Sequence, residues 1–113
     1  DMTILFMDVR GFTSLSETMA PEAIVAFLNT LLTPLSDAIQ HERGTIDKYI
    51  GASIMALWNA PGAVAGHPAA ACRAALAMRS ALAALEADGA FSTLGLERVG
   101  IGIGINTGPA CVG

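Results

Sequence analysis

The chain of 113 residues is 53% hydrophobic and carries a formal net charge of −4 at pH 7. This length and apolar content predict a single domain over residues 1–113, with enough apolar material for a sizeable core. The acidic balance argues against a nucleic-acid partner, because surfaces that bind nucleic acids carry clustered Lys and Arg.

Membrane and redox signals are weak. The most apolar long stretch, residues 69–85, is interrupted by two arginines and a serine, so we expect no direct membrane insertion by this segment. Cys72 and Cys111 lie far apart without metal-ligand spacing, which predicts free thiols in a reducing, cytoplasmic compartment. The abrupt start and end of the chain predict a piece of a larger protein, either membrane-anchored or multidomain.

The first strand and the turn after it are the most informative part of the chain. Residues 3–7 are β-branched or apolar, which predicts a short buried strand ending at the carboxylate of Asp8. The glycine turn at residues 11–13 would point backbone N–H groups outward, where phosphate oxygens bind readily. Ser14 and Glu17 have the spacing of a capping box, which predicts a helix start there.

A carboxylate beside free N–H groups predicts a divalent cation held against a polyphosphate. Mg²⁺ prefers one or two protein carboxylates, with phosphate oxygens completing its coordination shell. The chemistry alone leaves a second interpretation open, in which Asp8 only caps a turn. Under the first interpretation the triphosphate-binding residues are Gly11, Phe12 and Thr13.

Apolar periodicity predicts two longer helices. Between residues 24 and 39 apolar residues recur at three- and four-residue intervals, and Pro21 can occupy the first turn of such a helix. Pro34 lies inside the pattern and should bend or interrupt the helix. The alanine-rich run from His67 to about Glu86 predicts the other helix.

Three more strands complete the pattern. Residues 45–50 and 53–58 predict two short strands joined by a two-residue hairpin at Gly51 and Ala52, with the glycine supplying a positive φ. Over residues 99–105 branched apolar residues alternate with glycine, which predicts a strand with one bare face against which something packs closely.

The order of elements indicates the fold. Strand, helix, strand, strand, helix, strand predicts an α+β, ferredoxin-like (palm-like) βαββαβ antiparallel sheet with helices on one face. We expect the strand order 4-1-3-2. That order would bring Asp8 next to the Gly51–Ala52 hairpin, although the two are far apart in sequence.

Two stretches carry family motifs: the hairpin of residues 47–56 and an opening stretch with Phe6, Asp8, Val9, Gly11, Phe12, Thr13, Leu15, Ser16 and Glu17. Both resemble the catalytic domains of the class III nucleotide cyclases, the adenylate and guanylate cyclases, and most of all the N-terminal part of a homodimeric bacterial-type adenylate cyclase. The hairpin matches the family with one departure, at Ala52.

The resemblance implies conversion of ATP into 3′,5′-cyclic AMP and pyrophosphate with two Mg²⁺ or Mn²⁺ ions per site. It implies metal binding by the Asp8 carboxylate, by the backbone carbonyl of Val9, and by an aspartate at the position where this chain has Ala52. We therefore expect activity lower by about two to four orders of magnitude than in a competent relative.

The origin of Ala52 stays open between an engineered variant and a naturally degenerate cyclase half. Alanine gains nothing over aspartate in a hairpin, because aspartate can hydrogen-bond its own turn, so we expect no structural benefit from it. The intact motif around this position favours an engineered or very recent loss.

Lys48 is the second informative position of the hairpin. By resemblance it contacts the purine and selects adenine, because an ammonium group can donate to the ring N1 acceptor. The alternative is a solvated lysine paired with Asp47 or Glu42. Since the family builds each site between two domains, with the metal carboxylates on one and the purine lysine on the other, Asp8 and Lys48 on one chain imply a homodimer.

The remaining alternatives carry less weight. A catalytically inactive nucleotide-binding or dimerisation module is the main one, and Ala52 supports it. A diguanylate cyclase would need a Gly-Gly-Asp/Glu-Glu-Phe-like hairpin, and a G-x-G-x-x-G dinucleotide loop is absent from the sequence. We expect structural roles for His41 and His67, and an exposed turn position for Arg10 in preference to a triphosphate contact. Further parts of the family domain are expected beyond Gly113.

Overall fold

The computed structural model describes residues 1–92 and 99–109. Its four strands form one antiparallel sheet in the order β2-β3-β1-β4, which confirms the predicted strand order. Cys111 lies outside the described residues, whereas Cys72 is an exposed free thiol. In chain order the elements are β1 (Met2–Val9), α1 (Phe12–Ser16), α2 (Pro21–His41), β2 (Thr45–Ile50), β3 (Ser53–Trp58), α3 (His67–Ala87) and β4 (Ile101–Gly108).

The central strand β1 is buried on one face only. Leu5 and Met7 are fully buried, whereas Phe6 between them is 40% exposed. The prediction of a buried strand is therefore wrong for the outward face, because successive side chains of a strand point to opposite sides of the sheet. The strand registers put the following residues on the outward side of the sheet, and we call the surface that they form the open face: Ile4, Phe6, Asp8, Lys48, Ile50, Ser53, Met55 and Gly102.

The core lies between the inward face of the sheet and the two long helices. Both predicted helical periodicities are confirmed, because each helix buries one stripe against the strands. The stripe of α3 contains three small alanines, which lets its backbone come close to its neighbours. The buried residues of the helices are Phe27, Leu31, Leu35, Ser36 and Ile39 in α2, and Ala70, Ala71, Ala74, Met78 and Leu82 in α3.

The helix α2 runs without a break through Pro34. An interruption was one of the two expected outcomes, because proline removes an intrahelical hydrogen bond. Leu31 and Leu35 on either side of the proline are fully buried. Tertiary packing of an apolar stripe supplies most of the stability of such a helix, and here it outweighs the lost hydrogen bond. Pro21 occupies the first turn, as predicted.

Within the described ranges, α2 is also the one helix that is long and apolar enough to cross a membrane. The core helix of a folded domain gives the same signal, and α2 buries such a stripe in the core. The feature is therefore weak evidence for membrane insertion.

A close contact explains the glycine that follows α2. A Cβ atom built on Gly44 would lie 2.6 Å from Cζ2 of Trp58 and 2.7 Å from Cγ2 of Ile39. Trp58 is fully buried, and its indole Nε1 donates a hydrogen bond to the carbonyl oxygen of Glu42 at 2.9 Å. Gly44 is therefore required by the ring that covers it, whereas the positive φ of this turn, 67°, belongs to Arg43.

We expect the substitution Gly44→Ala to lower the free energy of unfolding by about 1–3 kcal/mol, because the added methyl group overpacks the Trp58 contact. Gly62→Ala is the matched control, since a Cβ atom there meets nothing within 4 Å. Urea unfolding of the full-length protein measures both. Equal stabilities of the two variants would contradict the packing argument.

Candidate active site

A cavity of about 430 Å³ brings three separate segments of the chain together. Asp8 and Val9 line it from the end of β1, and Gly51 and Ala52 line it from the hairpin between β2 and β3. The third segment is the turn at residues 11–14, which begins α1. The predicted meeting of Asp8 with the hairpin is therefore observed, and the phosphate-binding turn predicted from the sequence borders the same space.

Asp8 is exposed on the open face, above the neighbouring strand β4. Its register partner there is Gly102. A Cβ atom on Gly102 would lie 2.9 Å from Oδ1 of Asp8, closer than real Cβ contacts come. The predicted close packing against the bare face of β4 is therefore observed at this glycine. It is not observed at Gly104, where a Cβ atom meets nothing within 4 Å.

The turn after β1 starts a helix earlier than the sequence indicated. Gly11 has φ 69° in the left-handed region and is the N-cap of α1, which begins at Phe12 without a side-chain cap. The prediction of a capping box at Ser14 and Glu17 is therefore wrong. Glu17 is already the C-cap of this five-residue helix. The first-turn amides have no intrahelical acceptor, so they are free to bind an external oxygen.

Phe12 fixes this turn to the core, a role that the sequence analysis missed. Its ring stacks on Phe27 of α2 with centroids 6.3 Å apart, and Phe27 contacts Phe91 at 5.3 Å. Phe27 and Phe91 are both almost fully buried. An apolar side chain inside a glycine turn was the available signal, because a solvated turn has no need of an aromatic ring.

Ala52 is buried, with 5% of its surface exposed, and belongs to the hydrophobic core. Its methyl group therefore contributes to core packing, which the sequence did not indicate, whereas the expectation that alanine gains nothing over aspartate here stays a prediction. The predicted positive φ is found at Gly51 (57°) and not at Ala52. An aspartate at position 52 would put a second carboxylate into the lining of the Asp8 cavity.

The donor atoms near Asp8 fit a divalent cation only together with a ligand that brings its own oxygens. Within the described part of the chain no group of three His, Cys, Asp or Glu side chains is close enough to hold a metal. The cavity lining offers one carboxylate, from Asp8, and the hydroxyls of Thr13, Ser14 and Ser53. One carboxylate with phosphate oxygens is a coordination that Mg²⁺ accepts.

Lys48 lies on the open face but does not line the Asp8 cavity. Its Nζ is 3.4 Å from Oδ2 of Asp47, and the two side chains are 49% and 28% exposed. This is one of the ion pairs expected for a solvated lysine, whereas Glu42 pairs instead with Arg73 at 2.8 Å. An exposed pair of this kind contributes little free energy, so a ligand can displace it readily.

The other polar residues named from the sequence do not line the cavity. His67 begins α3, and its Nδ1 lies 2.7 Å from Oγ1 of the buried Thr3, which also hydrogen-bonds Thr107 at 2.8 Å. This network supports the predicted structural role of His67. His41 is in the last turn of α2. Arg10 is exposed, as expected, although its side chain follows the strand β4.

The family of this chain is established by comparison. Residues 1–113 match the family model of the adenylate and guanylate cyclase catalytic domain. The chain belongs to this class III cyclase family, as the two sequence motifs indicated.

Two of the curated relatives are adenylate cyclases. The chain is 43% identical to an adenylate cyclase of Anabaena cylindrica, over 99% of the chain and 22% of that protein. It is 38% identical to adenylate cyclase 1 of Rhizobium meliloti (strain 1021), over 100% of the chain and 17% of that protein.

Two solved cyclase structures share the fold. The guanylyl cyclase Cya2 superposes with a TM-score of 0.86 at 39% identity, over 95% of this chain and 53% of that one. The adenylyl cyclase CyaB from P. aeruginosa superposes with a TM-score of 0.84 at 34% identity, over 95% of this chain and 55% of that one. The chain thus spans about half the length of these solved structures, one of which is a guanylyl cyclase and the other an adenylyl cyclase.

The left-handed backbone conformation of Gly11 leads to a testable prediction. A Cβ atom there meets nothing within 4 Å, so only the left-handed backbone opposes a side chain. We expect Gly11→Ala to cost about 1–2 kcal/mol of stability, and Gly11→Asn to cost less, because asparagine tolerates this conformation. Thermal unfolding of the full-length protein measures the order. An alanine variant as stable as the parent would contradict the assigned backbone conformation.

Proposed function

We propose that the chain is the metal- and triphosphate-binding part of an adenylate cyclase that converts ATP into 3′,5′-cyclic AMP and pyrophosphate. The observation that carries the proposal is the shared cavity of Asp8, the first turn of α1 and the Gly51–Ala52 hairpin. In the reaction the ribose 3′-oxygen bonds to the α-phosphorus, and the bond from that phosphorus to the pyrophosphate breaks. The proposed roles are metal binding for Asp8 and the Val9 carbonyl, and triphosphate binding for the amides of Gly11, Phe12 and Thr13.

A bound Mg²⁺ or Mn²⁺ would lower the cost of ionising the 3′-hydroxyl and offset the charge of the triphosphate. Asp8 supplies the one negative side chain for such an ion in the cavity lining. The amides at the start of α1 would receive phosphate oxygens, and Phe12 would keep that turn in place through its contact with Phe27. Family members in general use these ions.

Ala52 makes this chain an impaired cyclase in our proposal. A two-metal site needs carboxylate oxygens shared between both ions, and the methyl group of Ala52 offers none. We expect the chain to bind nucleotide while turning it over slowly. The alternative is a cyclase-like module that binds nucleotide or a partner without chemistry, and the buried position of Ala52 favours it, because alanine is well packed there.

A second copy of the chain is the proposed partner. Asp8 and Lys48 lie on the same open face but on β1 and β2, with β3 between them. Phe6 and Ile50 are exposed apolar residues on that face, 40% and 54% respectively. Two copies that pack through their open faces would cover this apolar area and bring Lys48 of each copy toward the Asp8 of the other. We propose a cytoplasmic location, as for a catalytic domain of a larger protein.

The substitution Ala52→Asp tests the reaction. We expect it to raise cyclic AMP production from Mn·ATP by about 100- to 10,000-fold in the full-length protein, because it restores the missing carboxylate. Ala52→Asn is the matched control, since it has a similar size and hydrogen-bonding capacity but no charge. It should stay at the parent rate.

The outcomes separate the two functions. A large gain with aspartate alone supports the silenced adenylate cyclase. If neither variant makes cyclic AMP while Mn·ATP binds to both, the inactive module is the correct assignment. An undiminished parent rate relative to Ala52→Asp would show that the second carboxylate is unnecessary.

The substitution Lys48→Glu tests the preference for ATP over GTP. In the Ala52→Asp form we expect Lys48→Glu to lower the ratio of kcat/KM for ATP to that for GTP by about tenfold to a hundredfold, because a carboxylate suits the N1–H of guanine. Asp47→Ala is the control, since it removes only the partner of the exposed ion pair. It should leave the ratio unchanged, and a shift as large as that of Lys48→Glu would rule out a specific purine contact.

A further inference from the structure

A second charged side chain, that of Arg10, lies close to Asp8 and against the strand β4. Arg10 continues the β1–β4 pairing, and its backbone N–H donates to the carbonyl oxygen of Gly100 at 2.8 Å. A Cβ atom built on Gly100 would lie 3.6 Å from both Cβ and Cδ of Arg10. The aliphatic part of Arg10 therefore runs along the bare face of β4.

The guanidinium of Arg10 ends over the same glycine as Asp8. From the Cβ position of Gly102, Nη2 of Arg10 is 3.5 Å away, Nε is 3.6 Å away and Oδ1 of Asp8 is 2.9 Å away. Both charged groups thus occupy the space that a side chain at position 102 would fill. The alternating glycines of β4 have a purpose here, because only a bare strand lets both groups lie against it.

The two groups share this position without neutralising each other. Within the described ranges the ion pairs are Lys48–Asp47 and Arg73–Glu42, and Arg10 and Asp8 are not among them. The carboxylate oxygens of Asp8 therefore stay available to a cation. The guanidinium likewise keeps its N–H donors for an anion.

The surroundings of Arg10 favour an anion. It lines a cleft of about 320 Å³ together with Arg79 of α3, and the remaining lining residues are Ile101, Gly102 and Ile103. That lining contains no carboxylate. Arg10 thus lies between the acidic cavity of Asp8 and a cleft with two guanidinium groups, and a guanidinium offers a planar set of donors that suits phosphate.

We propose that Arg10 is a triphosphate-binding residue, held beside Asp8 by the bare surface of Gly100 and Gly102. The inference rests on the proposed nucleotide site and adds to it a side-chain ligand for the phosphate chain. Asp8 would hold the cation while Arg10 donates to phosphate oxygens, so opposite charges of a metal–triphosphate complex meet opposite charges of the protein. The sequence favoured an exposed turn position for Arg10 over a triphosphate contact; the exposure is observed, and the triphosphate contact is the present inference.

Binding of inorganic triphosphate with equimolar Mn²⁺ to the unaltered full-length protein tests the inference. Calorimetry measures this binding without any chemistry, so the result does not require the turnover that we expect Ala52 to impair. We expect Arg10→Gln to raise the dissociation constant by roughly tenfold, because a charge-assisted hydrogen bond is lost. Arg10→Lys should recover part of the loss, since it keeps the charge without the planar donors.

Arg73→Gln is the matched control. It removes an equal charge from α3, but outside the cleft of Arg10 and from an exposed ion pair with Glu42, and we expect a change of less than about twofold. Gly102→Ala keeps both charges and should weaken binding, because its methyl group displaces Asp8 and the Arg10 tip. Thermal unfolding should show that Arg10→Gln is folded like the parent, since the residue is exposed.

The binding measurements distinguish a triphosphate-binding role of Arg10 from its absence. Weaker binding for Arg10→Gln with a partial recovery for Arg10→Lys supports the inference. Equal losses for Arg10→Gln and Arg73→Gln, unchanged binding for Arg10→Gln, or no binding by the parent would overturn it. Failure of the proposed cyclase function would appear separately, as triphosphate binding without cyclic AMP production by the Ala52→Asp form.

Discussion

The candidate site depends on the two-sided pairing of β1. This strand is hydrogen-bonded to β3 on one side and β4 on the other, so its backbone is held along its whole length. Its inward residues Leu5 and Met7 anchor it in the core, and the same alternation directs Asp8 to the open face. A charged side chain at the end of a strand would be mobile on an edge. On the central strand it has a defined position over Gly102.

Glycine serves three different purposes in this chain. Gly11 and Gly51 adopt positive φ, Gly44 lies under the ring of Trp58, and Gly102 leaves room for charged side chains on the open face. Only the first purpose is apparent from local sequence, because turn glycines sit between periodic segments. Contacts from residues distant in sequence create the others. This is why the sequence predicted a bare strand face without identifying what covers it.

The sequence predicted the architecture well because the relevant signals are local. Apolar periodicity gave both long helices, the Gly51 hairpin joined two strands, and the order of elements indicated the sheet. The failures share a cause in tertiary structure. The uniform apolar run of β1 concealed an open face, α2 continued through Pro34 because both flanks are buried, and the left-handed Gly11 started α1 before the capping-box residues.

The proposed site was also predictable only in part. Asp8, Gly11 and Lys48 could be proposed as site residues from their motifs, because a metal ion, a phosphate and a purine each need a particular type of protein group. The anchoring of Phe12 and the course of Arg10 along β4 depend on contacts with α2 and β4 that no spacing within the turn reveals. For the same reason Ala52 looked like a pure loss in sequence, whereas its methyl group is part of the core.

The positions of Asp8 and Lys48 on the open face bear on how two copies of the chain would pair. Neighbouring strands lie about 4.8 Å apart, so Asp8 on β1 and Lys48 on β2 are separated laterally by roughly 10 Å, with β3 between them. In a two-fold pair each site would take its carboxylate face from one copy and its lysine from the other. Ala52 then affects only the site on its own face, while Lys48 of the same chain still serves the opposite site. In such a pair, a chain with Ala52 would therefore still supply Lys48 to the site of an intact partner.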